Sequence, residues 1–201
     1  MARGPRERRA VTLADRRSRR AAPPGEHDVV LVLATVSVIA RDGLRGLTVR
    51  AVAEEAGVPG DAVLRSFAST DALVDAALRY ALDKSAGVFA DLADGASLDN
   101  FVEHLTDLVA RDPDLQVFQY ELMLESRRTP RLDPHVKLLY ATYIEATSQA
   151  LTRLGITADE DLTLLVYSAI EGFIMHQLVA KDRPATERAI ERLRRILSTA
   201  R

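Results

Sequence analysis

The sequence predicts an all-α fold of about nine helices, a small three-helix head followed by a larger helical body. Three observations carry this. Apolar residues recur at three- and four-residue spacing through most of the chain after residue 28. The breaks between these stretches are short and place Gly, Pro, Ser or Asp where helices start or stop. No two alternating runs flank a tight turn, so no hairpin is expected. With 201 residues, 47% of them apolar, the chain is long enough to bury a substantial core.

Residues 1–27, rich in Arg, Ala and Pro without an apolar period, are expected to form a disordered basic arm. Val29–Ala40 is rich in β-branched residues, which favour strands, but its length and helical context predict a buried helix. Thr48 is a good N-cap for a short helix, Val49–Ala56, that stops at Gly57. A second short helix runs from about Gly60 to Phe67. Ser69 caps a longer one with Asp71 in its first turn and Leu73, Val74, Ala77 and Ala81 on one face. Ser97 caps a helix showing Phe101, Leu105 and Leu108 to the core. Asp112-Pro113 and Asp133-Pro134 start two more, the second ending at Gly155, with proline expected in the favoured first helical position of each. Thr157 to Glu160 has the form of a capping box, opening a helix that is nearly all apolar from Leu162 to Ala180. The last begins near Pro184 and repeats apolar residues at Ile190, Leu193, Leu197 and Ala200.

Several function classes are disfavoured. The chain has no cysteine, which removes disulfides, thiolate zinc sites and cysteine nucleophiles. Its four histidines, at 27, 104, 135 and 176, share no metal-ligand spacing, so no metal is expected. There is no GxSxG elbow, P-loop or Gly-rich dinucleotide turn; an enzyme is not expected, nor a cofactor. The uncharged run Val29–Ala40 is too short for a membrane span, which needs about 20 residues, and the residues ahead of it do not read as a leader. A cytoplasmic protein without membrane partners is the expectation.

Charge is unevenly placed. The first 27 residues hold eight arginines against three acids, a net of +5, which leaves −7 on the remainder of a chain whose total is −2. A basic arm on an acidic body suits a polyanion such as nucleic acid, or is a solvated tail.

The sharpest motif is TVRAVAEEAGVPGDAVLRSF, residues 48–67. A helix-turn-helix that reads DNA needs two short helices crossing closely through a tight turn. Ala53 is small enough for the close approach, and Gly57, four residues on, can take the positive φ of the turn. Val49, Val52, Ala56, Val58, Val63 and Phe67 then face the preceding helix.

With its flanks, ARDGLRGLTVRAVAEEAGVPGDAVLRSFASTDALVDAAL resembles the N-terminal signature of the tetracycline-repressor (TetR) family. QYELMLESRRTPRL and LLVYSAIEGFIMHQLVA resemble later helices of that family more loosely. The resemblance implies a helix-turn-helix DNA-binding domain over residues 28–77 and a ligand-binding and dimerisation domain over 78–201. It implies a homodimer that binds double-stranded DNA and is released by a small-molecule effector, most often as a repressor. Thr48 and Arg50 fall where members touch phosphate, and a helix N-terminus suits phosphate in any case. The candidate DNA-contacting set is Arg45, Thr48, Arg50, Pro59, Gly60, Asp61, Ala62, Leu64, Arg65, Ser66 and Thr70. Of the recognition-helix residues, Arg65 can make a bidentate pair with guanine.

The chain departs from the family at Leu64, where tyrosine is usual, at Thr70, where lysine is usual, and at Asp61, where glycine is frequent. Residues 28–77 carry four arginines against seven acids, a net of −3, although phosphate neutralisation supplies most non-specific DNA affinity. Either the arginine-rich arm restores the missing contacts, or the head is degenerate and the chain is a helical ligand-binding or interaction protein. Candidate effector contacts are Phe101, His104, Phe118, Tyr120, Met123, Tyr140, Tyr143, Tyr167, Phe173 and His176, with core packing the competing reading for each. Glu121 and Glu171, where buried, favour a cationic effector, whereas Glu125 and Arg128 read as a surface helix pair. The helix over 159–180 is too apolar to face water; Ala169 and Gly172 permit close approach of a second helix, as in a dimer interface, and a place in the domain core is the competing reading.

Overall fold

The structure, a computed structural model, describes residues 26–94 and 112–199. The basic arm, save for its last residues, the helix expected after Ser97, and the candidates Phe101 and His104 lie outside the described residues. Within them the chain forms eight α-helices and no strand: α1 (Glu26–Asp42), α2 (Val49–Ala56), α3 (Gly60–Ser66), α4 (Thr70–Asp94), α5 (Pro113–Ser126), α6 (Asp133–Arg153), α7 (Glu160–Ala180) and α8 (Arg183–Ser198). Single 3-10 turns at Leu44–Gly46 and Pro130–Leu132 join α1 to α2 and α5 to α6.

The β-branched α1 is a helix because it is buried on two faces. Leu31 and Ala34 pack with Val52, Ala53, Val63 and Leu73 in the head. Val32, Val36 and Ile39 enter a second core with Phe118 and Leu122 of α5, Leu139 and Tyr143 of α6 and Tyr167 of α7. Such burial outweighs a propensity difference of a few tenths of a kcal/mol per residue. Thr35, fully buried, satisfies its hydroxyl on the Leu31 carbonyl at 2.8 Å. The expected division at 77/78 falls inside α4, which runs unbroken from the head core into the body core. A third cluster, built from Leu151, Leu154 and Ile156, Ile170 and Ile174 of α7, and Ile190 and Leu197 of α8, closes the far end.

Helix starts follow the sequence with two corrections. Thr48, Ser69 and Asp112 each accept a backbone N–H three residues on, and Asp182, not singled out from the sequence, does the same for α8. The cap of α7 is Asp159, which accepts the Leu162 N–H at 2.8 Å, not Thr157 of the expected capping box. Extended φ and ψ at Asp159 start the helix two residues later than the box requires. The residue before α6 is Leu132, already in the αR region after the 3-10 turn, so Asp133 lies inside the first turn and caps nothing. Gly155 ends the α6 segment with φ 73°, as expected of a helix stop.

Candidate nucleic-acid interface

The α2–α3 unit is built by local chemistry. Thr48 Oγ1 accepts the Ala51 N–H at 3.0 Å, satisfying one orphan donor of α2. Gly57 ends α2 at φ 67° and ψ 30°, and the Val58 N–H reaches back to the Ala53 carbonyl at 3.0 Å. This left-handed closure turns the chain so that Pro59, extended at ψ 145°, can start α3. Val63, fully buried, anchors α3 against Val52, Ala53 and Leu73.

That anchoring leaves one side of α3 outward. Asp61, Leu64, Arg65 and Ser66 are exposed, Gly60 and Ala62 half-buried, and Pro59 at the turn exposed. Thr48 and Arg50 are exposed on α2, and Thr70 is half-buried at the start of α4. Leu64 is 56% exposed, a large apolar side chain left open to solvent by the described residues. Arg65 donates to Asp61 one turn earlier, and that guanidinium holds the Asp61 carboxyl below its usual range. Arg50 donates to Glu54 at 2.8 Å, which raises the arginine's pKa. Arg41, near the end of α1, donates to Glu55 at 2.7 Å. Both cations on the α2–α3 surface are thus internally paired, at the i, i+4 spacing that helices favour.

Arg45 sits elsewhere. It lines a polar cleft of about 400 Å³ between head and body, with Asp42, Gly43, Leu44, Glu121, Glu125 and Arg128. Gly43, at φ 71°, lets the chain turn beside α5; a Cβ there would come within 3.3 Å of Glu121 Oε2. Glu125 and Arg128 form the expected i, i+3 pair, with the arginine exposed and the carboxylate the more enclosed partner. The Glu125 side chain is 12% exposed, accepts from Arg128 at 2.7 Å and from Thr129 at 3.0 Å, and is held below its usual range mainly by those bonds.

Of the effector candidates, the fold brings four tyrosines together between α5, α6 and α7. Tyr140 and Tyr167 meet edge to face at 5.9 Å. Tyr143 donates to Gln119, a partner absent from the sequence-derived set although it neighbours Tyr120 on α5. Tyr120 donates to the main-chain oxygen of Glu171 at 3.3 Å. The Glu171 carboxyl lies in the same cluster, where burial pushes its pKa up against an opposing hydrogen bond with Tyr120. Burial and then the Glu171 charge push the Tyr120 and Tyr167 hydroxyls up as well. The other candidates are dispersed. Phe118 is sealed in the core. Met123 and Phe173 pack half-buried against different cores. His176 is exposed and sits 3.1 Å from the Thr186 hydroxyl of α8.

α7 is the one described helix long and apolar enough to cross a membrane by length and composition, and 28% of its most apolar stretch is buried. Within this chain it is therefore not simply a core helix. Leu165, Ser168, Gly172, Met175 and Val179 are exposed at alternating three- and four-residue steps, a continuous stripe flanked by Leu164. Among the described residues nothing lies within 4 Å of a Cβ built on Gly172.

Known proteins are similar along nearly the whole described chain. Residues 31–77 match the family described as bacterial regulatory proteins, tetR family, and residues 96–199 match the tetracyclin repressor-like, C-terminal domain. A member of the TetR family from Streptomyces coelicolor A3 is 26% identical, with a TM-score of 0.66 over 84% of this chain and 98% of that one. The multidrug binding protein EbrR complexed with malachite green is 25% identical, with a TM-score of 0.65 over 85% and 98%. A transcriptional regulator from Rhodococcus sp. Rha1, at 21% identity, shares the fold with a TM-score of 0.68 over 85% and 95%. No curated protein matches the chain.

Proposed function

The chain belongs to the TetR family of DNA-binding bacterial transcriptional regulators, and from that premise we propose that it acts as a homodimeric repressor released by a small-molecule effector. The observation that carries this is the complete helix-turn-helix with the outer side of α3 exposed. On double-stranded DNA, α3 enters the major groove with Arg65 as its base-reading cation. The N-terminus of α2, with Thr48 and Arg50, meets phosphate alongside Pro59, Gly60 and Thr70. The proposed action involves no covalent chemistry and places the protein with DNA in the cytoplasm.

The effector reading is supported by the polar cluster between α5, α6 and α7, and by solved complexes of EbrR with malachite green, proflavin and ethidium. Release requires the effector to prefer one arrangement of the heads, since equal affinity for both shifts nothing. α1 is the connection: one face packs in the head core and the other on Phe118 and Tyr143 of the body. The apolar stripe of α7, with exposed Ile196 on α8, supports a two-fold interface, which matches a palindromic operator.

A second reading rests on the pairing of Arg50 and Arg65 with carboxylates and on Leu64 in place of a polar group. In it the head is degenerate and the protein binds ligands or partners without DNA. Selection of bound fragments from the source genome, at low and at moderate salt, decides between them. A short palindrome recovered at both salts supports the repressor. Binding that is blind to sequence and lost at moderate salt assigns contact to the arm alone, and no binding at either salt favours the degenerate head.

A further inference from the structure

The interior between α5, α6 and α7 holds a carboxylate that helix packing does not require. Glu171 is largely buried, and among the described residues no ammonium, guanidinium or imidazole offsets its charge; burial and the Tyr120 hydroxyl are the influences on it. Other carboxylates of the protein, Glu54, Asp61, Glu125 and Glu191, each hold an arginine. A second feature points the same way. Tyr167, one turn before Glu171 on α7, is 4% exposed, and its hydroxyl has no hydrogen-bond partner among the described residues. Buried polar groups left unpaired in a native fold need an explanation, and a bound ligand is one.

We propose that the effector site selects aromatic organic cations, with the Glu171 carboxylate as counter-charge and the rings of Tyr120, Tyr140 and Tyr167 as its walls. The proposal deepens the effector reading above and rests on it. A buried carboxylate without a partner is costly, and a cation relieves that cost where a neutral ligand cannot. Tyrosine faces attract cations through their ring quadrupoles, and Tyr140 and Tyr167, set edge to face at 74°, present two aromatic rings at an angle near the charge. Tyr140 is 42% exposed, so the cluster opens to solvent at its edge. An anion entering the same place meets Glu171 across a medium of low dielectric and is repelled.

The test is a fluorescence titration of the full-length, DNA-free protein with ethidium and, separately, with the anion 8-anilinonaphthalene-1-sulfonate. Wild type is expected to bind ethidium more tightly than the anion. Glu171→Gln should weaken ethidium at least tenfold without weakening the anion, while Glu171→Asp retains part of the preference. Tyr140→Ala, at the exposed edge where folding is least sensitive, should also weaken ethidium several-fold. Absence of saturable ethidium binding to wild type overturns the proposal, as does an unchanged ethidium affinity in Glu171→Gln or, should that variant not fold, in Tyr140→Ala. Operator binding is read separately by anisotropy. Glu171-dependent cation binding in a protein that ignores DNA supports the proposal and removes the repressor reading. Operator binding with ligand binding indifferent to charge overturns the proposal and leaves that reading standing.

Discussion

Arg65 and Asp61 share one turn of α3, and under the proposed repressor role their pairing bears on how the head would meet DNA. In the free protein the guanidinium is occupied by the carboxylate, so reading a guanine means exchanging one partner for another. Arg65→Ala is expected to lose about 1–3 kcal/mol of discrimination at one operator position. Asp61→Ala frees the guanidinium and removes a charge that phosphate repels. It should tighten binding and leave the complex more dependent on salt, the log–log slope steepening by about one. Anisotropy titrations on operator DNA across a potassium chloride series measure both; weaker binding by Asp61→Ala would mean that the carboxylate itself contacts a base. At Glu171 the sign of the pH effect follows from its raised pKa. The fold favours the protonated form, so the stability tied to this group is fully present at acid pH and is lost as pH rises through the raised value. Glu171→Gln should therefore melt above wild type at neutral pH, with the gap closing towards about pH 4–5, the ordinary carboxylate range. A gap independent of pH would contradict the assignment.

At the scale of the element, the end signals of the helices are chemically explicit. Asp159→Ala removes the bond that caps α7 and should cost about 1 kcal/mol. Thr157→Ala, outside the cap, should cost close to nothing, and urea denaturation of the pair checks the placement. The capping-box pattern misplaced this start because Thr157 and Asp159 are both competent caps, and spacing to an acidic residue does not reveal which one adopts extended φ and ψ. α1 shows the opposite case, where long-range burial decides a segment whose local preference is for strand. Arg50–Glu54 and Arg65–Asp61 stand at i, i+4 spacing in the sequence itself; a net charge for the head conceals that these cations are engaged with their own helices.

For the whole molecule, two expectations concern charge and assembly. The exposed stripe of α7 makes Leu165, 64% exposed in the protomer, a position where substitution disturbs little within one chain. Leu165→Glu should turn a dimer into a folded monomer at micromolar concentration by light scattering, with an unchanged helical spectrum and weaker binding to a palindrome. An unaltered dimer would place the interface elsewhere. The arm is the second lever. Deleting residues 1–20, which hold eight of the chain's arginines, should lower operator affinity and flatten its salt dependence in proportion to the number of phosphates the arm neutralises. Unchanged affinity and slope would show that the head binds without it.

By itself the sequence determined what short range controls. The caps at Thr48, Ser69 and Asp112, the left-handed stop at Gly57 and the small Ala53 beneath it depend on groups within a few residues of one another. So the helix-turn-helix, and the family, could be read from one chain. What tertiary structure decided concerns residues far apart in sequence. Packing set α1 between two cores and put Arg45 in the cleft beside Glu121. It gathered Tyr120, Tyr140, Tyr143 and Tyr167 around Glu171 while leaving Phe118 in the core and His176 at the surface. Helical periodicity names the residues on one face of a helix, but not which neighbouring helix that face meets. Burial of Glu171, and with it the chemistry of the candidate effector site, arises from α5, α6 and α7 meeting there.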